Sequence, residues 1–190
     1  MTRTELPTSA QPQAGQRSNF LVRRVAVLGA GVMGAQIAAH LINAKVPVTL
    51  FDLPAKEGPK SGIALKAIEN LKKLSPAPLG IKDDANLIQA ANYEDDIEKL
   101  RDCDLVIEAI AERMDWKHDL YKKVAPHIAS HAIFASNTSG LSITELSDGF
   151  DAELKSRFCG VHFFNPPRYM HLVELIPTAH TRGDILDQLE

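Results

Sequence analysis

The chain has 190 residues, a net charge of −3, 45 % apolar and 24 % charged residues, an ordinary balance for one well-buried domain and marginal for two. No basic excess points to nucleic acid, and no apolar run approaches the length of a membrane span. Cys103 and Cys159 stand far apart without metal-type spacing, the histidines form no cluster suited to a metal, and reduced structural thiols fit a cytoplasmic setting.

Residues 1–19 are polar, contain Pro and Gln, and have almost nothing to bury. They are expected to form a disordered extension, with the fold starting near Phe20. Val25 to Leu28 is a short apolar run that suits a strand buried on both faces of a parallel sheet. It leads into Gly29-Ala30-Gly31-Val32-Met33-Gly34, a G-x-G-x-x-G, and then into good helix formers from Ala35 to Ile42. At a strand-to-helix turn the first glycine permits the tight turn and the second lets backbone approach a pyrophosphate. The third lets helix and strand pack closely, and the helix N-terminus offers N–H groups to phosphate. The next strand, Val46 to Phe51, ends at Asp52, so an acid follows the glycines at roughly the 20-residue spacing of a dinucleotide fingerprint. A carboxylate there accepts hydrogen bonds from a ribose diol and repels the extra phosphate of NADP. Leu53 and Pro54 follow rather than a cation, which favours NAD.

A Pro- and Gly-rich turn spans Leu53 to Gly62. A helix is predicted after it, with Ile63, Ala67, Leu71 and Leu74 on its apolar face, ending at Ser75 to Gly80. Residues 81–103 are polar, with a short strand expected around Leu87–Ala91 and a short helix at Asp95–Leu100. Leu105 to Ile110 reads as another buried strand, interrupted by Glu108 near the end where open α/β sheets bind ligands. Asp115 is a predicted cap for a helix from Trp116 to Ile128, with Trp116, Leu120, Tyr121 and Val124 facing inward. Glu112 and Lys117 flank that helix start, either as solvated charge or as cofactor contacts at a βα loop.

Ala132 to Ala135 is a further strand. It runs into Ser136-Asn137-Thr138-Ser139-Gly140, the kind of polar strand-end loop that binds ligands. Ser142-Ile143-Thr144-Glu145 fits a capping box. This alternation predicts an α/β fold with a doubly wound, mostly parallel sheet. Phe158–Phe164 and His171–Ile176 are two strand-like runs too close together for a helical crossover, so they should pair antiparallel. A hairpin symmetric about Arg168 puts His162 opposite Glu174, with Cβ atoms roughly 4.5–5.5 Å apart. The carboxylate would fix the tautomer of the imidazole and raise its affinity for a proton, as a general base requires. A buried, merely structural His–Glu pair is the bland alternative.

His162-Phe163-Phe164-Asn165-Pro166 with Leu172-Val173-Glu174-Leu175-Ile176 resembles the signature of 3-hydroxyacyl-CoA dehydrogenases. Ser136-Asn137-Thr138-Ser139 and the LGAGVMG turn match the same family in the right order, and the resemblance covers about residues 21–190. It implies a Rossmann-like NAD-binding domain over residues 20–190 that takes part in fatty-acid β-oxidation. On that resemblance His162 is the base, Glu174 its partner, and Ser139 a donor to the substrate oxygen. Asn165 helps position the nicotinamide end. Glu112 and Lys117 match cofactor-contacting positions, and Val32, Met33 and Asn137 lie within the matched cofactor motifs. Family members continue into a helical domain that completes the acyl-CoA pocket, supplies a further catalytic asparagine and forms much of a homodimer contact. The last residues here, Ile185 to Glu190, read as a helix in progress, so a fragment of a longer enzyme is expected. Details around Asp52 and Pro166 look like long bacterial forms, some of which carry an enoyl-CoA hydratase module. Two rivals remain: a dehydrogenase of free β-hydroxy acids, and a non-catalytic dinucleotide-binding module.

Overall fold

A computed structural model describes residues 20–190; the expected extension at residues 1–19 lies outside the described residues. Seven strands form one sheet in the order β3-β2-β1-β4-β5-β6-β7. They are β1 (Val25–Leu28), β2 (Val48–Asp52), β3 (Gln89–Asn92), β4 (Leu105–Glu108), β5 (Ile133–Ser136), β6 (Phe158–Phe163) and β7 (Val173–Pro177). All pair in parallel except β6 with β7, which is antiparallel as the short connection requires.

The strand order reverses at β1, which lies between β2 and β4. In such sheets the crevice beyond the carboxyl ends of the strands at that reversal is where ligands bind. Alternate residues of each strand face opposite sides. Val25, Val27, Leu50 and Ile107 belong to one core, covered by α1 (Val32–Asn43) and α2 (Gly62–Leu71) and joined by Ile185 of the terminal helix at Gly183–Leu189. Ala26, Leu28, Phe51, Val106 and Phe134 belong to the other core. It is covered by α3 (Met114–Val124), α4 (Ile143–Leu146) and α5 (Ala152–Ser156), so the helix at Gly183–Leu189 is α6. The central strands are therefore buried on both faces, which is why they read as unbroken apolar runs rather than alternating ones.

Several expectations shift. Strand β2 starts at Val48 rather than Val46; Pro47 has no N–H and contributes only its carbonyl, bonded by Val25 N at 3.0 Å. Strand β4 stops at Glu108, two residues early, where the carboxylate takes over the bonding. Helix α2 buries Ala64, Ile68 and Leu71, while Ile63 and Leu74 are exposed. It ends at Leu71, so Leu74 never joins the face that meets the sheet. Asp115 does not cap α3. It lies inside the first turn and pairs with Arg113, the residue at the N-cap. The helix ends at Val124 because Pro126 follows, and a 3-10 turn spans Ala125–His127. The polar stretch before β4 gives edge strand β3, and the short helix expected at Asp95–Leu100 forms as a 3-10 helix two residues further on, Ile97–Asp102.

Cys103 and Cys159 are buried and unbonded to each other, and burial pushes both thiols up to about 12. Neither forms thiolate at neutral pH. A maleimide or iodoacetamide at pH 8 is expected to leave the folded chain unmodified and to label both cysteines after denaturation, read by intact mass. Rapid labelling of the native chain would contradict the packing described.

Candidate active site

The turn between β1 and α1 builds one wall. Gly29 has φ +105°, a backbone conformation that L side chains rarely adopt, and a Cβ on Gly34 would lie 1.8 Å from the Gly29 carbonyl oxygen. Helix and strand approach this closely only because both positions lack side chains. Gly31 has nothing within 4 Å of where a Cβ would stand, so its face is open to a ligand. It precedes the N-terminus of α1, whose first-turn N–H groups have no partner within the helix. Asp52, at the end of β2, accepts from Ala30 N at 2.6 Å and from Leu53 N at 2.7 Å. The acid thus buttresses the glycine turn while standing at the mouth of the crevice.

Two cavities open along this edge and meet at Gly31 and residues 109–111. One, about 500 Å³, contains Gly29, Asp52, Leu53 and Trp116. The other, about 610 Å³, brings together Val32, Met33, Glu112, Lys117, Asn137, Ser139, His162 and Asn165. Every candidate site residue except Glu174 thus lines one cavity or the other, or, as Gly34 does, shapes the turn between them. Glu174 reaches the second cavity through His162.

The dyad forms in the expected register. His162 and Glu174 are cross-strand partners, and His162 Nδ1 lies 2.8 Å from Glu174 Oε2. A carboxylate can only accept, so Nδ1 carries the proton and Nε2 is left as the basic nitrogen. The Phe164 ring packs against the imidazole with centroids 4.5 Å apart. Asn137 Oδ1 accepts from Phe163 N at 2.9 Å, tying the loop after β5 to the strand that presents His162. Asn165 Oδ1 accepts from Gln36 Nε2 of α1 at 3.3 Å.

Glu112 and Lys117 differ in setting. Glu112 accepts from the Thr138 hydroxyl and from Ser139 N at 2.8 Å. Burial alone would push its carboxyl up, but these bonds and the Lys117 charge outweigh it and hold the group below its usual range. Lys117 is 1 % exposed, and its Nζ lies 2.5 Å from Glu108 Oε1. The sequence pattern placed Trp116 rather than Lys117 on the inner face of α3. The reverse holds: Trp116 is 52 % exposed, because the buried carboxylate of Glu108 draws the neighbouring ammonium inward.

Glu108, the charge that interrupts the β4 run at its ligand-binding end, is the centre of a hydrogen-bond network. Besides Lys117 it accepts from Ile110 N at 2.7 Å, Tyr121 Oη at 2.6 Å and Ser136 Oγ at 2.7 Å. A charged residue inside a buried strand run must find several donors. That requirement was readable, but the donors themselves come from three separate elements. Among the described residues, no group of three or more His, Cys, Asp or Glu could hold a metal, and no helix is long and apolar enough to cross a membrane.

The glycine turn, the acid that ends β2 and the crevice at the strand reversal define a dinucleotide-binding Rossmann domain, here with a His–carboxylate pair at its rim. The profile of the "3-hydroxyacyl-CoA dehydrogenase, NAD binding domain" family matches residues 24–190, and the chain belongs to that family. It is 47 % identical over 166 residues to a probable 3-hydroxyacyl-CoA dehydrogenase of Deinococcus radiodurans, covering 87 % of this chain and 48 % of that protein. It is 44 % identical over 169 residues to a putative fatty acid oxidation complex trifunctional enzyme of Rickettsia felis, covering 88 % of this chain and 24 % of that one. A solved structure of 3-hydroxybutyryl-CoA dehydrogenase from Escherichia coli superposes with a TM-score of 0.74 at 29 % identity, over 90 % of this chain and 35 % of that one. The chain spans about half or less of the length of these relatives.

Removing the Glu108 charge leaves the Lys117 ammonium buried and uncompensated. Glu108→Gln is expected to cost about 3–5 kcal/mol of unfolding free energy in urea denaturation, and adding Lys117→Met is expected to restore part of it. A Glu108→Gln chain as stable as the parent would show that the pair contributes nothing.

Proposed function

We propose that residues 20–190 are the NAD-binding and proton-transfer domain of an L-3-hydroxyacyl-CoA dehydrogenase that converts 3-hydroxyacyl-CoA to 3-oxoacyl-CoA in fatty-acid β-oxidation. The observation that carries this reading is the 2.8 Å His162–Glu174 pair at a cavity continuous with the glycine turn. The open face at Gly31 and the carboxylate of Asp52 fit a dinucleotide. NAD, when bound, supplies the acceptor for hydride from C3 of the substrate. Asp52 binds the adenosine ribose diol and disfavours NADP. The α1 N-terminus at Gly31, Val32 and Met33 takes the pyrophosphate. Glu112, Lys117, Asn137 and Asn165 hold the nicotinamide half.

His162 Nε2 takes the proton from the substrate hydroxyl. Glu174 keeps Nδ1 protonated and stabilises the imidazolium that results. Ser139, which lines the same cavity, donates to the substrate oxygen. The acyl-CoA partner, a homodimeric state and a cytoplasmic setting belong to this reading of the complete protein; the two buried thiols support the last.

In the complete protein, His162→Ala is expected to lower acetoacetyl-CoA turnover by about 10²–10⁴-fold, the range of a lost general base, with NADH affinity nearly unchanged. Substantial residual turnover would remove His162 from the mechanism. Calorimetry of the 190-residue chain is expected to show saturable binding of NADH in clear preference to NADPH; the reverse preference would sink the role given to Asp52.

A further inference from the structure

Gln36 is an amide inside an otherwise apolar row. It is 8 % exposed on α1, and its neighbours Ala35, Ile37, Ala38 and Ala39 are buried with it. A buried amide costs free energy unless it is bonded, and alanine is the better helix former, so packing and helix propensity alone would favour an apolar residue here. The side-chain hydrogen bond it makes among the described residues runs from Nε2 to Asn165 Oδ1, at 3.3 Å. Asn165 lines the cavity of about 610 Å³ that His162 shares. The bond joins the helix at the glycine turn to the connection between β6 and β7.

The contact belongs to a face of the helix. Val32, Gln36 and His40 recur at four-residue spacing along α1 and so lie on one side of it. Val32 lines the same cavity, Gln36 bonds Asn165, and the His40 and Phe163 rings meet edge to face with centroids 6.2 Å apart. The backbone on both sides of Asn165 is held as well. Asn137 Oδ1 accepts from Phe163 N at 2.9 Å, and Arg168 donates to Ala77 O and Leu79 O. A fixed backbone does not settle which end of the Asn165 amide faces a ligand, because the two ends have nearly the same shape and opposite chemistry. Gln36 settles it. An N–H donor set against Oδ1 holds the carbonyl toward α1. Nδ2, which has no protein partner among the described residues, remains to donate.

We propose that Gln36 is a positioning residue that fixes the amide of Asn165 as a hydrogen-bond donor to an acceptor oxygen at the reacting end of the site. That oxygen belongs to the nicotinamide carboxamide or to C3 of the acyl substrate. The proposal rests on the NAD reading above and deepens it: it gives Asn165 a direction and puts a residue that does not line the cavity in control of it. Helix α1 then serves the reaction at two places, its N-terminus at the pyrophosphate and its second turn at the nicotinamide.

Steady-state reduction of acetoacetyl-CoA by NADH in the complete protein, with a double-mutant cycle on positions 36 and 165, tests the idea. Gln36→Met keeps the volume and removes the donor. It is expected to lower kcat/KM by about threefold to tenfold in the parent, the worth of one neutral hydrogen bond, and to change nothing in an Asn165→Ala background. A rise in the KM for NADH assigns the donor to the nicotinamide carboxamide; a rise in the KM for acetoacetyl-CoA assigns it to the substrate oxygen. Gln36→Glu, assayed at pH 9 where the carboxylate only accepts, is expected to turn the Asn165 amide round and to lose more than Gln36→Met; it carries the test should the Met variant fail to fold. Equal losses from Gln36→Met in both backgrounds would show that Gln36 acts by packing alone. Parent kinetics in Gln36→Met would show that it does not act at all. Either result overturns the proposal and leaves the cofactor reading standing. Parent kinetics in Asn165→Ala would overturn the role given to Asn165 and the proposal together.

Discussion

A single carboxylate organises the working edge of this domain. Glu108 ends β4 fully buried and accepts four hydrogen bonds, from its own loop, from two residues of α3 and from the end of β5. Charge in a protein interior is tolerated only when paired and fully bonded. Satisfying it therefore dictates where α3 sits against the sheet and which of its residues face inward. The consequences travel outward by short steps. Ser136, bonded to Glu108, accepts from Thr138 N at 3.3 Å, and Thr138 and Ser139 in turn bond Glu112. These bonds tie the polar loop after β5 into the wall of the cavity that His162 also lines.

The second determinant is the antiparallel end of the sheet. The parallel strands point their carboxyl ends toward the crevice, whereas the carboxylate beside His162 comes from a strand running the other way. The β6–β7 hairpin provides it at register positions 162 and 174. Its connection is tied down far from the dyad: Arg168 donates to Ala77 O at 2.9 Å and Leu79 O at 2.6 Å, and the Tyr169 hydroxyl to Ala77 O at 2.8 Å. These bonds join the hairpin tip to the turn after α2, and Asn137 secures Phe163 from the other side. The dyad is thus held by both halves of the sheet, although Glu174 itself is half exposed.

The sheet, the glycine turn and the dyad were legible in the residues because each depends on short-range rules. Strand runs are read from apolar continuity, the turn from glycine spacing and the acid that ends β2, and the His–Glu pairing from the symmetry of two runs about Arg168. Helix faces were less legible. For α2 the pattern pointed to Ile63 and Leu74, yet Ala64 and Ile68 face the core, since the two candidate faces differ by one residue and only the neighbour in space chooses between them. For α3 an apolar-inside rule favoured Trp116 and buried charge won instead, a case of tertiary pairing overriding local preference.

By itself, then, the sequence determined the strand succession, the close β1–α1 turn that only glycines at 29 and 34 allow, and the imidazole–carboxylate pair, because steric limits and periodicity act over a few neighbouring residues. Tertiary structure alone decided that Glu108 gathers Lys117, Tyr121 and Ser136, that Lys117 is buried while Trp116 faces a cavity, and that Ser139 and His162 line the same cavity. Those outcomes depend on groups as far as 28 residues apart meeting a buried charge, and no local pattern encodes which donors will reach it.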